Sequence, residues 1–145
     1  MNKDKIRMLL EEGRLKPRNI DKLLIRSILS SSEMAAKAAK SVILNDLTAT
    51  MIFKEMYDAI RQLGEVKWLL QGYEPFGRGA HEISIELLME DKDIAFMHLD
   101  RFRRLRNDAN YQGRKIFLEQ TKEILFFWEE HCKELLLKLK QENEP

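Results

Sequence analysis

A cluster of basic residues in the C-terminal half is the part of this sequence whose residue types and spacing best suit chemistry. Within fifteen residues the cluster holds Arg101, Arg103, Arg104, Arg106, Arg114 and Lys115. Asp108 is the single acidic residue among them. Guanidinium groups bind phosphate oxygens in a planar, bidentate geometry, so this cluster, with its neighbouring asparagines and tyrosine, predicts a phosphate or RNA contact surface.

Helical spacing refines this prediction. On a helix, Arg103, Arg106 and Asn110 lie on adjacent turns of one face, and Arg104 and Asp108 are spaced to form an i,i+4 ion pair. The alternative is a solvated helix face whose arginines pair with acids near in sequence. Those acids are Asp100, Asp108 and Glu119.

The histidines do not match a metal site. Helical bundles hold metal ions through Glu-x-x-His pairs on facing helices. Here the residues three positions before the histidines are Arg78 for His81, Ala95 for His98 and Trp128 for His131. His131 and Cys132 are adjacent and would point about 100° apart on a helix, so they are poorly placed to share one ion. We expect no metal ion, no cofactor and structural roles for the histidines.

Composition limits the class of protein. The 145 residues suit one domain, and a net charge of +1 provides no global attraction to nucleic acid or membrane. One cysteine, Cys132, excludes an internal disulfide, fits a reducing compartment and sits among apolar residues as a small core residue. The sequence has no signal-peptide pattern and no apolar run of about 20 residues. We therefore expect a cytoplasmic protein.

Apolar spacing near 3.6 residues and turn residues predict the elements that position these groups. A short amphipathic helix is expected over residues 3–12, with Gly13 as its cap. A second helix is expected from Ile20, capped by Asn19, and the serines 30–32 weaken it, which leaves open whether it kinks or breaks there. The apolar pattern of this second helix continues to about residue 43.

The remaining pattern predicts a long helix after Asn45 that ends at Gly72, a loop over residues 72–79 and a short helix over residues 80–89. A helix capped by Asp93 should then run to about Tyr111, and a final helix should follow Gly113. Its inward positions would be Phe117, Ile124, Phe127, Trp128, Cys132, Leu135 and Leu136.

Because no segment shows sustained alternation of apolar and polar residues, we expect no strands. The predicted fold is all-α: an antiparallel up-and-down bundle of four to five main helices with an extra short N-terminal helix. Residues 1–18 form the N-terminal amphipathic helix and linker, and residues 19–145 form the bundle. The apolar face of residues 3–12 packs on this bundle or docks on a partner.

Several segments together resemble the HEPN domain, a small helical bundle of prokaryotic proteins that are commonly homodimeric. Residues 106–111, Arg-Asn-Asp-Ala-Asn-Tyr, resemble the Arg-x-x-Ala-Asp/Asn-Tyr end of the family's fourth helix. Residues 57–61, Gly72-Tyr73 and Gly79-Ala80-His81 are similar to three further family segments in the same order. The resemblance covers residues 20–140 and implies a homodimeric bundle.

The family's ribonucleases carry an Arg-x(4–6)-His motif, in which the histidine moves a proton and the arginine stabilises phosphate charge. No arginine here is followed by a histidine at that spacing. If Tyr111 aligns with the motif tyrosine, Arg104 is the motif arginine and Ala109 occupies the histidine position. Alanine cannot move a proton, so we assign no catalytic residue.

The resemblance also implies partners. HEPN proteins are often encoded beside minimal nucleotidyltransferases in modules resembling toxin–antitoxin pairs, and in some of them the motif tyrosine accepts a nucleotidyl group. Tyr111 is the matching position here; the alternative is a structural tyrosine packed at the helix end. The candidate nucleotide- or RNA-binding residues are Arg103, Arg104, Arg106, Asn110, Tyr111 and Arg114.

Three functions remain open from the sequence. The first is a non-catalytic HEPN-like homodimer that binds a nucleotide, RNA or a nucleotidyltransferase in a toxin–antitoxin-like module. The second is a metal-independent endoribonuclease with a rearranged site built from Arg104, Arg106, Asn110 and Tyr111. The third is a structural or regulatory bundle that binds another protein.

Overall fold

The computed structural model describes residues 1–90 and 98–144 and shows an all-α helical bundle, which confirms the predicted fold class. The described residues form helices, two short strands and a π-helical turn. They are α1 (Lys3–Glu11), β1 (Leu15–Pro17), α2 (Lys22–Ser41), α3 (Ala49–Leu70), β2 (Tyr73–Pro75), α4 (Ala80–Met89), α5 (Leu99–Tyr111), α6 (Leu118–Phe127), a π-helical turn (Trp128–Cys132) and α7 (Lys133–Glu142).

Helix α3 is the centre of the bundle. It contacts α2, α4, α5, α6 and α7. Its apolar residues are buried on several sides rather than along one stripe, as expected of a helix enclosed by neighbours. The aromatic side chains of Phe53, Phe102 and Phe127 join α3, α5 and α6 through edge-to-face contacts. This packing fixes α5 against α3.

A second, smaller core lies beneath the N-terminal segment. Leu9 of α1 and Leu15 of β1 are buried with Trp68, Ile83 and Leu87. The indole nitrogen of Trp68 donates a hydrogen bond to the carbonyl of Ile83 at 3.1 Å. The apolar face of α1 therefore packs on its own bundle.

The expectation of no strands is wrong at one place. Strands β1 and β2 pair antiparallel, with Leu15 opposite Pro75 and Pro17 opposite Tyr73. Each strand has three residues, too few for an alternating pattern, and each ends in a proline, which is tolerated where no ladder hydrogen bond is required. The pairing is a long-range contact that the local sequence does not encode.

The predicted start of α2 is also wrong, and the structure decides whether the serines 30–32 break this helix. The helix begins at Lys22 because Asp21, rather than Asn19, accepts a hydrogen bond from the backbone N–H of Leu24. The serines do not break it, since α2 continues to Ser41. The buried hydroxyl of Ser32 instead donates to the carbonyl of Ala59 on α3 at 2.7 Å. A hydroxyl satisfied by a neighbouring helix does not compete with its own backbone.

The C-terminal helix differs from the prediction in detail. Its predicted inward residues are buried except Phe117, which is exposed. Phe117 precedes the helix and its backbone N–H is bound by the side-chain oxygen of Gln120. A π-helical turn separates α6 from α7 and keeps Trp128 and Cys132 inside, where burial raises the pKa of the Cys132 thiol. Cys132 is a core residue, as expected.

The predicted cap Asp93 lies outside the described residues. No helix in the described part of the chain is long and apolar enough to cross a membrane. Across the same residues, no three histidines, cysteines or carboxylates are arranged to hold a metal ion.

Candidate functional site

A cleft of about 390 Å³ lies between α3, the start of α4 and α5. Tyr57 lines it from α3, residues 77–82 line it from the turn and first residues of α4, and four residues line it from α5. The four are Arg103, Arg106, Asn107 and Tyr111. The cleft therefore collects cationic, aromatic and backbone groups from three helices that are distant in sequence.

Glycine positions the start of α4 at the cleft. Gly79 is the N-cap of the helix and has φ 84°, a left-handed conformation that few other residues adopt. Because glycine has no side chain, it supplies no acceptor to the first-turn N–H groups. These groups and the helix dipole favour negative charge at the α4 N-terminus.

A second glycine sets the distance between α4 and α3. A Cβ atom on Gly64 would lie 2.2 Å from the carbonyl oxygen of Ser84 and 3.2 Å from a side-chain carbon of Leu88. Only a residue without a side chain permits this close approach of two helices. Gly64 thus places the α4 N-terminus near Tyr57.

Arg103 and Arg106 are the cleft arginines of α5. Arg103 donates to Asp100 at 2.8 Å, which lowers the pKa of that carboxyl, and its guanidinium lies 3.8 Å from Glu82. The Arg106 guanidinium lies over the Tyr57 ring. Among the described residues, the carboxylate paired with Arg106 is Asp58, at 4.0 Å. That distance is too long for a hydrogen bond, so Arg106 retains donors for a ligand.

Tyr57 and His81 add two titratable groups. Burial raises the pKa of Tyr57 to about 12, although the nearby arginines oppose the shift, so the phenol is neutral at pH 7. Desolvation lowers the pKa of His81, and the charges of Arg61 and Arg106 lower it further. His81 is therefore a neutral imidazole at pH 7, able to accept a proton.

The structure separates the predicted site residues into two groups. Arg103, Arg106 and Tyr111 line the cleft. Three residues do not line it: Arg104, Asn110 and Arg114. The Arg104 and Arg114 side chains are 67% and 69% exposed. For these two arginines the structure therefore agrees with the alternative interpretation, a solvated helix face.

The predicted pairings are partly wrong. Arg104 pairs with Asp100 at 3.3 Å rather than with Asp108, which lies 4.0 Å from Arg114. Glu119 pairs with Lys122. The ring of Tyr111 is 80% exposed, so the alternative of a tyrosine packed at the helix end is also wrong.

Tyr57, His81 and Glu82 belong to the cleft but were not among the predicted site residues. The resemblance marks Tyr57 and His81, which lie in residues 57–61 and in Gly79-Ala80-His81, but it does not mark Glu82. It does not show that they meet Arg106. That meeting depends on how α3, α4 and α5 pack.

The chain matches no family model, curated protein or solved structure with which it was compared. The chemistry of the cleft is therefore the basis for inferring function. Guanidinium groups, the positive end of the α4 dipole and a neutral imidazole together favour the oxygens of a bound anion. Phosphate is the anion for which this combination is best suited.

Proposed function

We propose that this protein is a non-catalytic binding module that holds the phosphate of a nucleotide or RNA in the cleft between α3, α4 and α5. The observation that carries the proposal is the position of Arg106. Its side chain is 17% exposed, and its guanidinium lies over the Tyr57 ring and 4.0 Å from Asp58. An arginine that has no closer carboxylate among the described residues, and that shares a cleft with a helix N-terminus, is suited to bind phosphate oxygens.

The proposal includes a HEPN-like homodimer that works with a minimal nucleotidyltransferase in a toxin–antitoxin-like module. Two observations support the HEPN-like part of the proposal: the resembling segments follow one another in the same order as in the family, and the fold is an all-α bundle. The exposed Tyr111 ring at the cleft rim supports it further, because a partner enzyme could reach its hydroxyl. This partnership is tested by light scattering. The mass of the purified protein is measured alone and after mixing with a minimal nucleotidyltransferase encoded beside it.

Salt-dependent binding tests the phosphate function. Fluorescence anisotropy with a labelled short RNA should show weaker binding as salt rises, because phosphate contacts release counterions. Replacing Arg106 by Gln should weaken binding and lower the slope of log K against log salt by about 0.7 for a single-stranded ligand. Replacing Arg104 should have a smaller effect, since its side chain lies outside the cleft.

A charge control makes this test specific. Lys122→Gln removes one cation from α6, where Lys122 pairs with Glu119 and does not line the cleft. We expect RNA binding unchanged in that variant. Equal losses in the Lys122 and Arg106 variants, or no salt-sensitive binding in the wild type, would refute the proposed function.

A metal-independent endoribonuclease is a second candidate, favoured by one observation. The structure brings His81 into the cleft with Arg103 and Arg106, although no histidine follows an arginine at the motif spacing. A neutral imidazole could accept the proton of an attacking 2′-hydroxyl while the arginines stabilise the phosphate charge. The 2′-oxygen–phosphorus bond forms as the bond to the 5′-oxygen breaks, which leaves a 2′,3′-cyclic phosphate, and the protonated imidazole returns the proton to the departing 5′-oxygen. Cleavage of RNA in the presence of a chelator, abolished by His81→Gln, would favour this candidate over simple binding.

A further inference from the structure

We infer that the cleft binds a terminal phosphate monoester, as in a mononucleotide or at a phosphorylated RNA end, with the nucleobase on the Tyr111 side. This inference rests on the proposed function and specifies its ligand. It distinguishes a terminal phosphate from the internal phosphodiesters of an RNA chain. Charge, available donors and cleft shape each support it.

The charge of the cleft matches a dianion. Its described lining contains three guanidinium groups, Arg78, Arg103 and Arg106, and one carboxylate, Glu82. His81 is neutral at pH 7 because its pKa is lowered. The lining itself thus carries a net charge of two positive units, and Asp100 and Asp58 offset part of this charge by pairing with Arg103 and Arg106 from outside the lining. A phosphate monoester carries about 1.5–2 negative charges at pH 7, whereas each internal diester carries one.

Donors from two helices line the cleft. Arg103 and Arg106 line it from α5, and residues Ala80 to Glu82 line it from the first turn of α4. A terminal phosphate presents three oxygens that do not bridge to a second nucleotide, and so can accept bonds from both walls at once. An internal diester presents two such oxygens, and the cleft must then also accommodate the nucleotides joined to both of its bridging oxygens.

The Glu82 carboxylate competes weakly with a bound anion for the guanidinium of Arg103. Its carboxylate lies 3.8 Å from the Arg103 guanidinium, an ion pair without a hydrogen bond, and its side chain is half-exposed. An incoming phosphate could displace it at small cost because exposed ion pairs contribute little. Removing this negative charge should strengthen binding of an anion, a gain that a purely structural role for Glu82 does not predict.

The shape of the cleft leaves room for more than phosphate. Its volume of about 390 Å³ lies within the range for small-molecule clefts, roughly 300–1,000 Å³. Tyr111 also lines it and keeps most of its ring exposed. Exposed aromatic rings beside basic grooves stack nucleobases without strong sequence preference. Tyr111 is therefore the group expected to hold the base.

The experiment measures binding of a short, internally labelled RNA in three forms, with a 5′-phosphate, with a 3′-phosphate or with hydroxyls at both ends. Adenosine monophosphate, adenosine and inorganic phosphate are titrated in parallel. We expect at least one phosphate-bearing ligand to bind about tenfold more tightly than its hydroxyl counterpart, because charge-assisted hydrogen bonds are the strong ones. Arg106→Gln should abolish the difference, and Glu82→Gln should enlarge it.

The arms of this experiment identify the source of the phosphate. Adenosine monophosphate binding as tightly as phosphorylated RNA indicates a free nucleotide, and preference for RNA indicates a chain end. Tyr111→Ala should weaken the nucleotide but not inorganic phosphate, while Tyr111→Phe should retain both. Circular dichroism of each variant checks that the helices are intact.

Two results would overturn the inference in different ways. Equal, Arg106-dependent binding of the phosphorylated and hydroxyl forms of RNA would refute the terminal-phosphate ligand and leave the proposed function standing. No binding of any ligand in the set by the folded protein would refute both. Unchanged nucleotide binding in Tyr111→Ala would remove the assigned position of the base.

Discussion

The guanidinium carbon of Arg106 on α5 lies 5.6 Å from the centroid of the Tyr57 ring on α3. This cation–π contact holds the Arg106 side chain, 17% exposed, at the wall of the cleft, and its ion-pair partner among the described residues is Asp58 at 4.0 Å. The relationship connects the bundle core to the candidate site, since Tyr57 is itself fully buried.

Replacing the Tyr57 ring should therefore affect ligand binding. In Tyr57→Leu, Arg106 loses its aromatic support, and we expect phosphate affinity to fall by about tenfold because a desolvated cation–π contact contributes about 1–2 kcal/mol. Tyr57→Phe keeps the ring and should bind nearly as well as the wild type. Titration calorimetry on both variants checks this; equal affinities would show that the contact has no role.

Gly64 should tolerate no side chain. In Gly64→Ala the new methyl group meets the Ser84 carbonyl at 2.2 Å, so α3 and α4 must separate. We expect a loss of unfolding free energy of about 3 kcal/mol, the upper end for overpacking, despite the better helix propensity of alanine. Urea denaturation measures this loss.

Gly113 provides the matched control for that substitution. It has φ 64° and nothing within 4 Å of an added Cβ atom, so Gly113→Ala tests backbone strain without a packing clash. We expect a loss of about 1–2 kcal/mol. A smaller loss at Gly64 than at Gly113 would contradict the close helix approach described here.

Phosphate binding should depend on pH through His81. In the free protein, desolvation and the charges of Arg61 and Arg106 lower the pKa of His81. A bound dianion reverses the local field and raises this pKa, so binding is linked to proton uptake and tightens as pH falls toward the lowered pKa of the free protein. Titrations between about pH 5.5 and 7.5 should show an affinity advantage over His81→Gln that grows toward low pH.

The ratio of the wild-type affinity to the His81→Gln affinity is independent of the titration of the ligand phosphate, because the same ligand is titrated into both proteins at each pH. Folding stability should change in the opposite direction. A histidine whose pKa is lowered on folding is more readily protonated in the unfolded chain, so its contribution is present above about pH 6.5 and is lost below it. An affinity ratio independent of pH would exclude His81 from the binding site.

The proposed homodimer predicts an apolar contact surface. Phe126 is exposed and borders a groove shared with Val42 and Leu44, and other apolar side chains such as Leu47 are also exposed. We expect light scattering to give twice the mass of one chain, and Phe126→Glu to give a monomer because charge burial is costly. Leu23→Glu, at an exposed site on α2, is the control; a wild-type monomer would contradict the dimer.

The helices and most of their ends could be predicted from the sequence because the signals are local. Helix α4 spans residues 80–89 as expected, and glycines follow α1 and α3 where their patterns stop. Apolar spacing also marks most of the core. The uninterrupted helix at the serines 30–32 and the Leu15–Pro75 strand pair could not be predicted because a distant segment supplies the hydrogen-bond partner. The error at Asn19 is local, since Asp21, two residues further on, caps the helix instead.

The sequence by itself determined an all-α bundle and a basic α5 helix. Only the tertiary structure decided which arginines of α5 form a site. Arg103 and Arg106 face Tyr57 and His81, while Arg104, on the same helix and equally basic, points to solvent. Periodicity along one helix distinguishes its apolar face from its polar face, but it does not indicate which neighbouring element packs against each face. That depends on long-range packing, including the close contact at Gly64 that brings α4 to the cleft.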